Sequence, residues 1–247
     1  MKIPIYQLVN IVIILIVFVF LIWYLWQIFF DKGYYPVEWA RAKKSGKISK
    51  RLLHLQKNYS DKVRFFNWWM QVMRLNRNQI PGSFAEVGVY KGESAGILHH
   101  MDQTRPFHLF DTFTGFPSGD LRVETGEAAT YTPDHFADTH VRQVLEKIAG
   151  NENIFIHAGY FPDTAAPVRN EIFALVNLDA DLYMPTCAAL EFFYPRLSPG
   201  GIIFIHDYNH KWEGVERAVD EFIRKIPETL VLVPDLDGSC MIIRNKK

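Results

Sequence analysis

The sequence is poor in cysteine, carries no excess of either charge, and shows no internal repeat or low-complexity stretch. Its two cysteines, Cys187 and Cys240, stand far apart in no metal-ligand spacing, which excludes a disulfide scaffold and a cysteine zinc site. Twenty-seven Lys plus Arg balance twenty-seven Asp plus Glu, so no basic excess points to nucleic acid and no acidic run suggests a disordered tail. Charge is missing locally as well: Lys2 is the one charged side chain in residues 1–30. The other 217 of the 247 residues hold the remaining 26 basic groups and all 27 acidic ones, a net of −1. That remainder is long enough to bury a core of its own.

The uncharged stretch runs from Leu8 to Phe30, where only Asn10 and Gln27 are polar. At 1.5 Å per residue it would span about 34 Å, enough for a hydrocarbon core of roughly 30 Å. A cleaved signal peptide has a shorter apolar region ending in small residues. Here the run ends in Trp23, Tyr24, Trp26, Phe29 and Phe30, like an aromatic belt at a membrane interface. Residues 1–30 are therefore expected to be an uncleaved transmembrane anchor. After it come Lys32, Arg41, Lys43, Lys44, Lys47, Lys50 and Arg51, against Asp31 and Glu38 alone. This bias predicts a single-pass protein with its C-terminal domain in the cytoplasm, and the basic stretch would be attracted to anionic lipid. Residues 31–60 read as a basic juxtamembrane connector with an amphipathic helix, and 61–247 as the soluble domain.

Within that domain, the spacing predicts a core-facing helix over Val63–Met73, with Trp68 and Trp69 as core residues more readily than ligand-stacking ones. Strands are expected at Ser83–Val87, Phe107–Phe110, Asn153–Ile156, Ile172–Leu178 and Ile202–Ile205. Helices are expected at Ser94–Met101, Val141–Ile148, Thr186–Phe193 and Val215–Ile226, and a closing hairpin at Thr229–Val233 and Met241–Ile243. A turn at Ser198-Pro199-Gly200-Gly201 should precede the fifth strand. Such alternation makes an α/β fold, a Rossmann-like doubly wound and mostly parallel sheet. Ligands in these sheets bind outside the carboxyl ends of the strands.

The strand ends carry the candidate chemistry. The first leads into Glu86-Val-Gly88-Val-Tyr90-Lys-Gly92-Glu-Ser94, a glycine turn whose backbone N–H groups can approach a zwitterionic ligand at a helix N-terminus. It lacks the three-glycine dinucleotide pattern. The second strand ends in Asp111, nineteen residues beyond Gly92, where a carboxylate can accept both hydroxyls of a ribose. Together they favour an adenosine-containing cofactor. The fourth strand ends in Asp179-Ala-Asp181 and the fifth in His206-Asp207-Tyr208. Asp179 and Asp207 can meet at one point with His206 close by, and carboxylate oxygens suit hard divalent cations such as Mg²⁺. The long stretch from Thr112 to His140 reads as a lid, with His135 and His140 as alternative bases to the strand-end acids.

These segments resemble the macrocin O-methyltransferase (TylF/MycF) family. The resemblance rests on Ile80-Pro-Gly-Ser-Phe-Ala-Glu-Val-Gly-Val-Tyr-Lys-Gly92 and Leu109-Phe-Asp-Thr-Phe-Thr-Gly-Phe-Pro117. It continues through Leu178-Asp-Ala-Asp-Leu-Tyr183, Tyr194-Pro-Arg-Leu-Ser-Pro-Gly-Gly201 and His206-Asp-Tyr208. It covers roughly residues 60–245 and implies a class I, Mg²⁺-dependent enzyme using S-adenosyl-L-methionine, of a kind that often methylates a sugar hydroxyl. The implied cofactor contacts are Glu86, Gly88, Tyr90, Gly92, Ser94 and Asp111, joined by Gly159 and Tyr160 near the adenine. The implied metal ligands are Asp179, His206 and Asp207, with Asp181 as the base. Two departures stand out. The family has two acids where this chain has His206-Asp207, and imidazole shifts preference toward transition metals. The anchor is the second, and it directs attention to a small-molecule or lipid-linked sugar acceptor close to the membrane. An Asp-x-Asp glycosyltransferase and a non-catalytic, membrane-anchored assembly partner are the alternatives. An oligomer is compatible with this reading, and nucleic acid is not expected.

Overall fold

The structure is a computed structural model that describes residues 4–29 and 35–245, with side chains as far as Trp26 in the first stretch. Lys2, Phe30, Asp31 and Lys32, and the side chains of Gln27 and Phe29, lie outside what is described. The chain forms two compact units, Met1–Lys47 and Ile48–Lys247. In the first, helix α1 (Ile5–Phe29) is long and apolar enough over Ile5–Trp26 to cross a membrane, and every described side chain on it is exposed. Helix α2 (Val37–Lys44) follows and carries Arg41, Lys43 and Lys44 in its last turn, where cations complement the helix dipole.

The second unit starts inside the segment expected as connector. Helix α3 (Lys50–Asn58) is capped by Ser49, whose hydroxyl accepts the Leu52 N–H at 3.1 Å. It buries Leu52 and Gln56, so its inner face belongs to the core rather than to a tether. Helix α4 (Lys62–Arg77) buries Phe65, Phe66, Trp68, Trp69, Val72 and Leu75 on one face, and both tryptophans are core residues.

The sheet is built from β1 (Ser83–Val87), α5 (Glu93–Met101), β2 (Phe107–Asp111), the short α6 (Ser118–Leu121), α7 (Val141–Ile148), β3 (Ile154–Ala158), β4 (Phe173–Leu178), α8 (Tyr183–Phe193), β5 (Leu197–Ile205), α9 (Glu213–Ile223), β6 (Leu230–Val233) and β7 (Ser239–Ile243). Among the described residues it has seven strands in the order β3-β2-β1-β4-β5-β7-β6. β7 joins β5 and β6 antiparallel, and the other pairings are parallel. Strands β1 and β4 are buried along their whole length, as parallel strands covered on both faces are. Chain direction across the sheet reverses between β1 and β4, and that switch point is where a doubly wound sheet opens a crevice.

The expected turn at 198–201 is part of β5. Gly200 donates to the Arg244 carbonyl at 2.8 Å and Arg244 donates to Gly201 at 3.0 Å, so pairing continues through the glycines. The irregularity appears as a register shift between Phe173 and Leu175 of β4.

Candidate active site

The glycine turn is held tightly against the end of β4. Gly88 sits at φ +83, and a Cβ there would fall 1.8 Å from the Asp179 carbonyl oxygen. Asp111 closes the turn from the side: one carboxylate oxygen accepts the Val89 and Tyr90 N–H groups at 2.7 and 2.8 Å, the other the Phe113 N–H at 2.7 Å. Those bonds hold Tyr90, a non-glycine residue, at φ +47. Gly88, Tyr90, Ser94, Asp111, Gly159 and Tyr160 all line one cavity of about 430 Å³, a volume within the usual range for small-molecule sites.

Two of the expected cofactor contacts stand behind this wall. Glu86 is fully buried and accepts from Ser94 Oγ at 2.5 Å and Asn177 Nδ2 at 2.9 Å. Burial pushes its pKa up to about 8 despite those two hydrogen bonds. Gly92 caps α5 at φ +75 and faces α7, where a Cβ would meet Val144 at 2.9 Å. Glu86 supports the turn from beneath because β1 is covered on both faces, and Gly92 does so by packing against α7.

The acids at the ends of β4 and β5 converge. Asp179, Asp181 and Asp207 each offer an oxygen, and the three lie within 4.8 Å of one another. Asp181 and Asp207 reach this arrangement at φ +58 and +57, strained for residues with a Cβ. Burial, then repulsion by Asp179 and Asp207, pushes the Asp181 carboxyl well above its ordinary value. Burial and Asp179 push Asp207 up to about 8. Three crowded carboxylates are stable only with protons or with a cation among them, and an all-oxygen donor set fits a hard divalent ion. His206 stands beside this cluster with Nδ1 3.4 Å from Asp179 Oδ2 and Nε2 2.9 Å from Asn177 Oδ1. Burial and the nearby Arg64 hold its pKa well below the ordinary range, so the ring is neutral.

The segment after β2 folds over the cavity and contributes Thr112, Gly115, Phe116 and Phe136 to its wall. A ring cluster ties it together: Phe116 stacks on Tyr131 at 5.5 Å, Phe136 meets Tyr90 edge-on at 4.9 Å, and Trp212 Nε1 donates to the Tyr131 hydroxyl at 3.1 Å. The lid histidines serve local structure. His135 Nδ1 accepts the Thr132 N–H at 2.9 Å, and His140 Nδ1 accepts the Gln143 N–H at 3.1 Å and so caps α7.

Sequence reasoning passed over two residues. Arg64 lines the cavity beside the acids, held by Asp235 at 2.8 Å and Asp237 at 3.2 Å. Asp61 at the N-cap of α4 lies 3.8 Å from it, but its shorter contacts come from the distant β6–β7 turn, which no local pattern marks. Asn177 did carry a signal, as the one polar residue in Phe173–Leu178.

The sheet order and the cavity at its switch point define a class I methyltransferase-like α/β fold. The backbone is similar to the O-methyltransferase NovP (TM-score 0.65, 23% identity, covering 75% of this chain and 81% of that one). It is similar also to the calicheamicin methyltransferase CalS11 (TM-score 0.57, 23% identity, 85% and 94%). The family follows from the sequence: residues 59–244 match the profile described as Macrocin-O-methyltransferase (TylF), and the chain belongs to that family. Its relatives include 8-demethyl-8-(2,3-dimethoxy-alpha-L-rhamnosyl)-tetracenomycin-C 4'-O-methyltransferase of Streptomyces olivaceus, 30% identical over 142 residues (52% of this chain, 54% of the relative). Mycinamicin III 3''-O-methyltransferase of Micromonospora griseorubida is 30% identical over 146 residues (53% and 57%). The chain thus spans little more than half the length of these relatives.

Proposed function

We propose that this protein is an S-adenosyl-L-methionine-dependent O-methyltransferase that methylates a sugar hydroxyl, uses a divalent cation, and acts near a membrane. One observation carries the reading. The turn suited to the cofactor and the three-carboxylate cluster are in contact at Gly88 and Asp179, so a methyl donor and an acceptor hydroxyl can share one cavity.

Gly88, Tyr90, Ser94 and Asp111 would hold the methionine and ribose ends of the donor, and Gly159 and Tyr160 its adenine. Asp179 and Asp207, with His206, would hold the cation, which supplies the positive charge that orients an acceptor oxygen and lowers its pKa. Transfer is an in-line displacement. The acceptor oxygen forms a bond to the methyl carbon as the carbon–sulfur bond breaks, which leaves S-adenosylhomocysteine and a methyl ether. The hydroxyl proton goes to Asp181, the carboxylate of the cluster that the cation ligands Asp179 and Asp207 leave beside the acceptor. A positioned base contributes about 10²–10⁴-fold in rate. The lid from Thr112 to His140 would exclude water from the sulfonium.

The names of the tetracenomycin and mycinamicin relatives support a sugar acceptor. Helix α1 and the bases that follow it support a membrane anchor with the catalytic unit on the cytoplasmic side. Anchoring raises the effective concentration of a membrane-bound acceptor without any new contact in the site, which favours a lipid-linked glycan. The turn and the family match both speak against a sugar-nucleotide glycosyltransferase.

The test uses the full-length protein reconstituted in liposomes with methyl-labelled S-adenosylmethionine, Mg²⁺ or Mn²⁺, and glycolipid from host membranes. Label should enter a glycolipid methyl ether, faster when enzyme and acceptor share a vesicle than when they sit in separate ones. Equal rates in the two arrangements would defeat the membrane acceptor. Tight S-adenosylhomocysteine binding with no transfer to any glycan would favour a non-catalytic partner.

A further inference from the structure

Asn177 is fully buried in the middle of the sheet, and its amide bridges the two halves of the site. Nδ2 donates to Glu86 Oε1 at 2.9 Å, and Glu86 also receives the Ser94 hydroxyl at the start of α5. With both amide hydrogens on the nitrogen that faces Glu86, the carbonyl oxygen faces His206 Nε2 at 2.9 Å. That oxygen can only accept, so the imidazole hydrogen sits on Nε2. The other ring nitrogen, Nδ1, then carries a lone pair, and it faces Asp179 Oδ2 at 3.4 Å. The ring is fixed by Trp68 at 5.6 Å and Phe204 at 5.5 Å.

We propose that Asn177 is a positioning residue that locks His206 in the Nε2–H tautomer and so keeps Nδ1 available as a nitrogen donor to a cation held by Asp179 and Asp207. Glu86 and Ser94 hold the amide in that orientation from the cofactor side. The inference rests on the cation reading above and deepens it. A partner that fixes a ligand's tautomer is worth about 10–100-fold in metal affinity. A nitrogen donor among the oxygens also moves preference from Mg²⁺ toward Mn²⁺ and the later transition metals.

The test uses detergent-solubilised full-length protein labelled with ¹⁵N-histidine, the His206 signal being assigned by its loss in His206→Gln. The parent should show a protonated Nε2 and an unprotonated Nδ1 that shifts when a divalent cation is added. Mn²⁺ titration by electron paramagnetic resonance should show Asn177→Leu binding about 10–100-fold more weakly than the parent, with S-adenosylhomocysteine affinity changing far less. Asn177→Asp keeps an acceptor opposite Nε2–H and should retain the tautomer and most of the Mn²⁺ affinity. A protonated Nδ1 in the parent would overturn the inference even if Asn177→Leu failed to fold. So would undiminished Mn²⁺ binding by folded Asn177→Leu. A parent with the expected tautomer that binds no divalent cation would instead overturn the cation reading on which the inference rests.

Discussion

Replacing Gly88 with alanine perturbs the contact on which the site depends. The new Cβ would lie 1.8 Å from the Asp179 carbonyl oxygen, whereas ordinary contact begins at 3.4 Å, so the turn and the end of β4 must part by about 1.6 Å. That movement breaks the Asp179 N–H bond to Val87 O and the Gly88 N–H bond to Phe110 O, both 2.9 Å long. Each contributes about 0.5–1.5 kcal/mol, and left-handed backbone costs a residue with a Cβ about 1–2 kcal/mol more. The total is about 2–5 kcal/mol, and stability converts at roughly 2–4 °C in Tm per kcal/mol for a domain of this size. Gly238→Ala is the control. It has the same backbone sign, φ +71, but its nearest neighbour lies at 3.2 Å, so it carries strain with little clash. Melting curves and calorimetric titration with S-adenosylhomocysteine on both full-length variants provide the readout. Gly88→Ala should melt well below Gly238→Ala and bind more than about tenfold more weakly, a loss of 1.4 kcal/mol. If the two variants melt together and both bind like the parent, the close approach of turn and cluster is refuted.

Asp179→Asn should abolish Mn²⁺ binding and turnover while S-adenosylhomocysteine affinity stays near the parent's; retained Mn²⁺ binding would remove Asp179 from the ligand set. Asp111→Ala frees three backbone N–H groups and removes the ribose acceptor, and should weaken S-adenosylhomocysteine by about 1–3 kcal/mol in calorimetry; unchanged affinity would mean the ribose lies elsewhere. Glu86 and Asp207 are both pushed up to about 8 in the fold, from ordinary values near 4. Their protonated forms therefore favour folding, and cation-free protein should lose stability as pH rises from about 5 through 8. A cation in the cluster competes with the Asp207 proton, so the gain in Tm on adding Mn²⁺ should be larger at pH 8 than at pH 6, and the reverse order would contradict the carboxylate site.

The elements of this fold were legible where local pattern and burial agree. Ser83–Val87 and Val141–Ile148 have the same ends in sequence and structure, because glycine and proline punctuation or a side-chain cap sets them. Ser198-Pro199-Gly200-Gly201 misled because glycine marks a turn only until a neighbouring strand offers partners, and Arg244, distant in sequence, supplies them here. The strand-end acids could be read because an acid after an apolar strand has nowhere to go but the crevice. Their strained backbone and their mutual distances could not. Glu86 looked like a contact residue by its place in the turn, yet alternation in a strand covered on both sides turns its carboxylate inward. Arg64 has a local partner in Asp61 at 3.8 Å, but its shorter contacts, with Asp235 and Asp237, are tertiary, and no local pattern encodes them.

The central claim is that one cavity joins a methyl donor to a hydroxyl with the help of a cation. The most direct measurement is methyl transfer from labelled S-adenosylmethionine to a glycosylated acceptor by the full-length protein, before and after EDTA and again after Mn²⁺ is restored, with S-adenosylhomocysteine binding followed in the same samples. Transfer should stop in EDTA and return with Mn²⁺, while S-adenosylhomocysteine stays bound throughout. Transfer that continues unchanged in excess EDTA would contradict the claim.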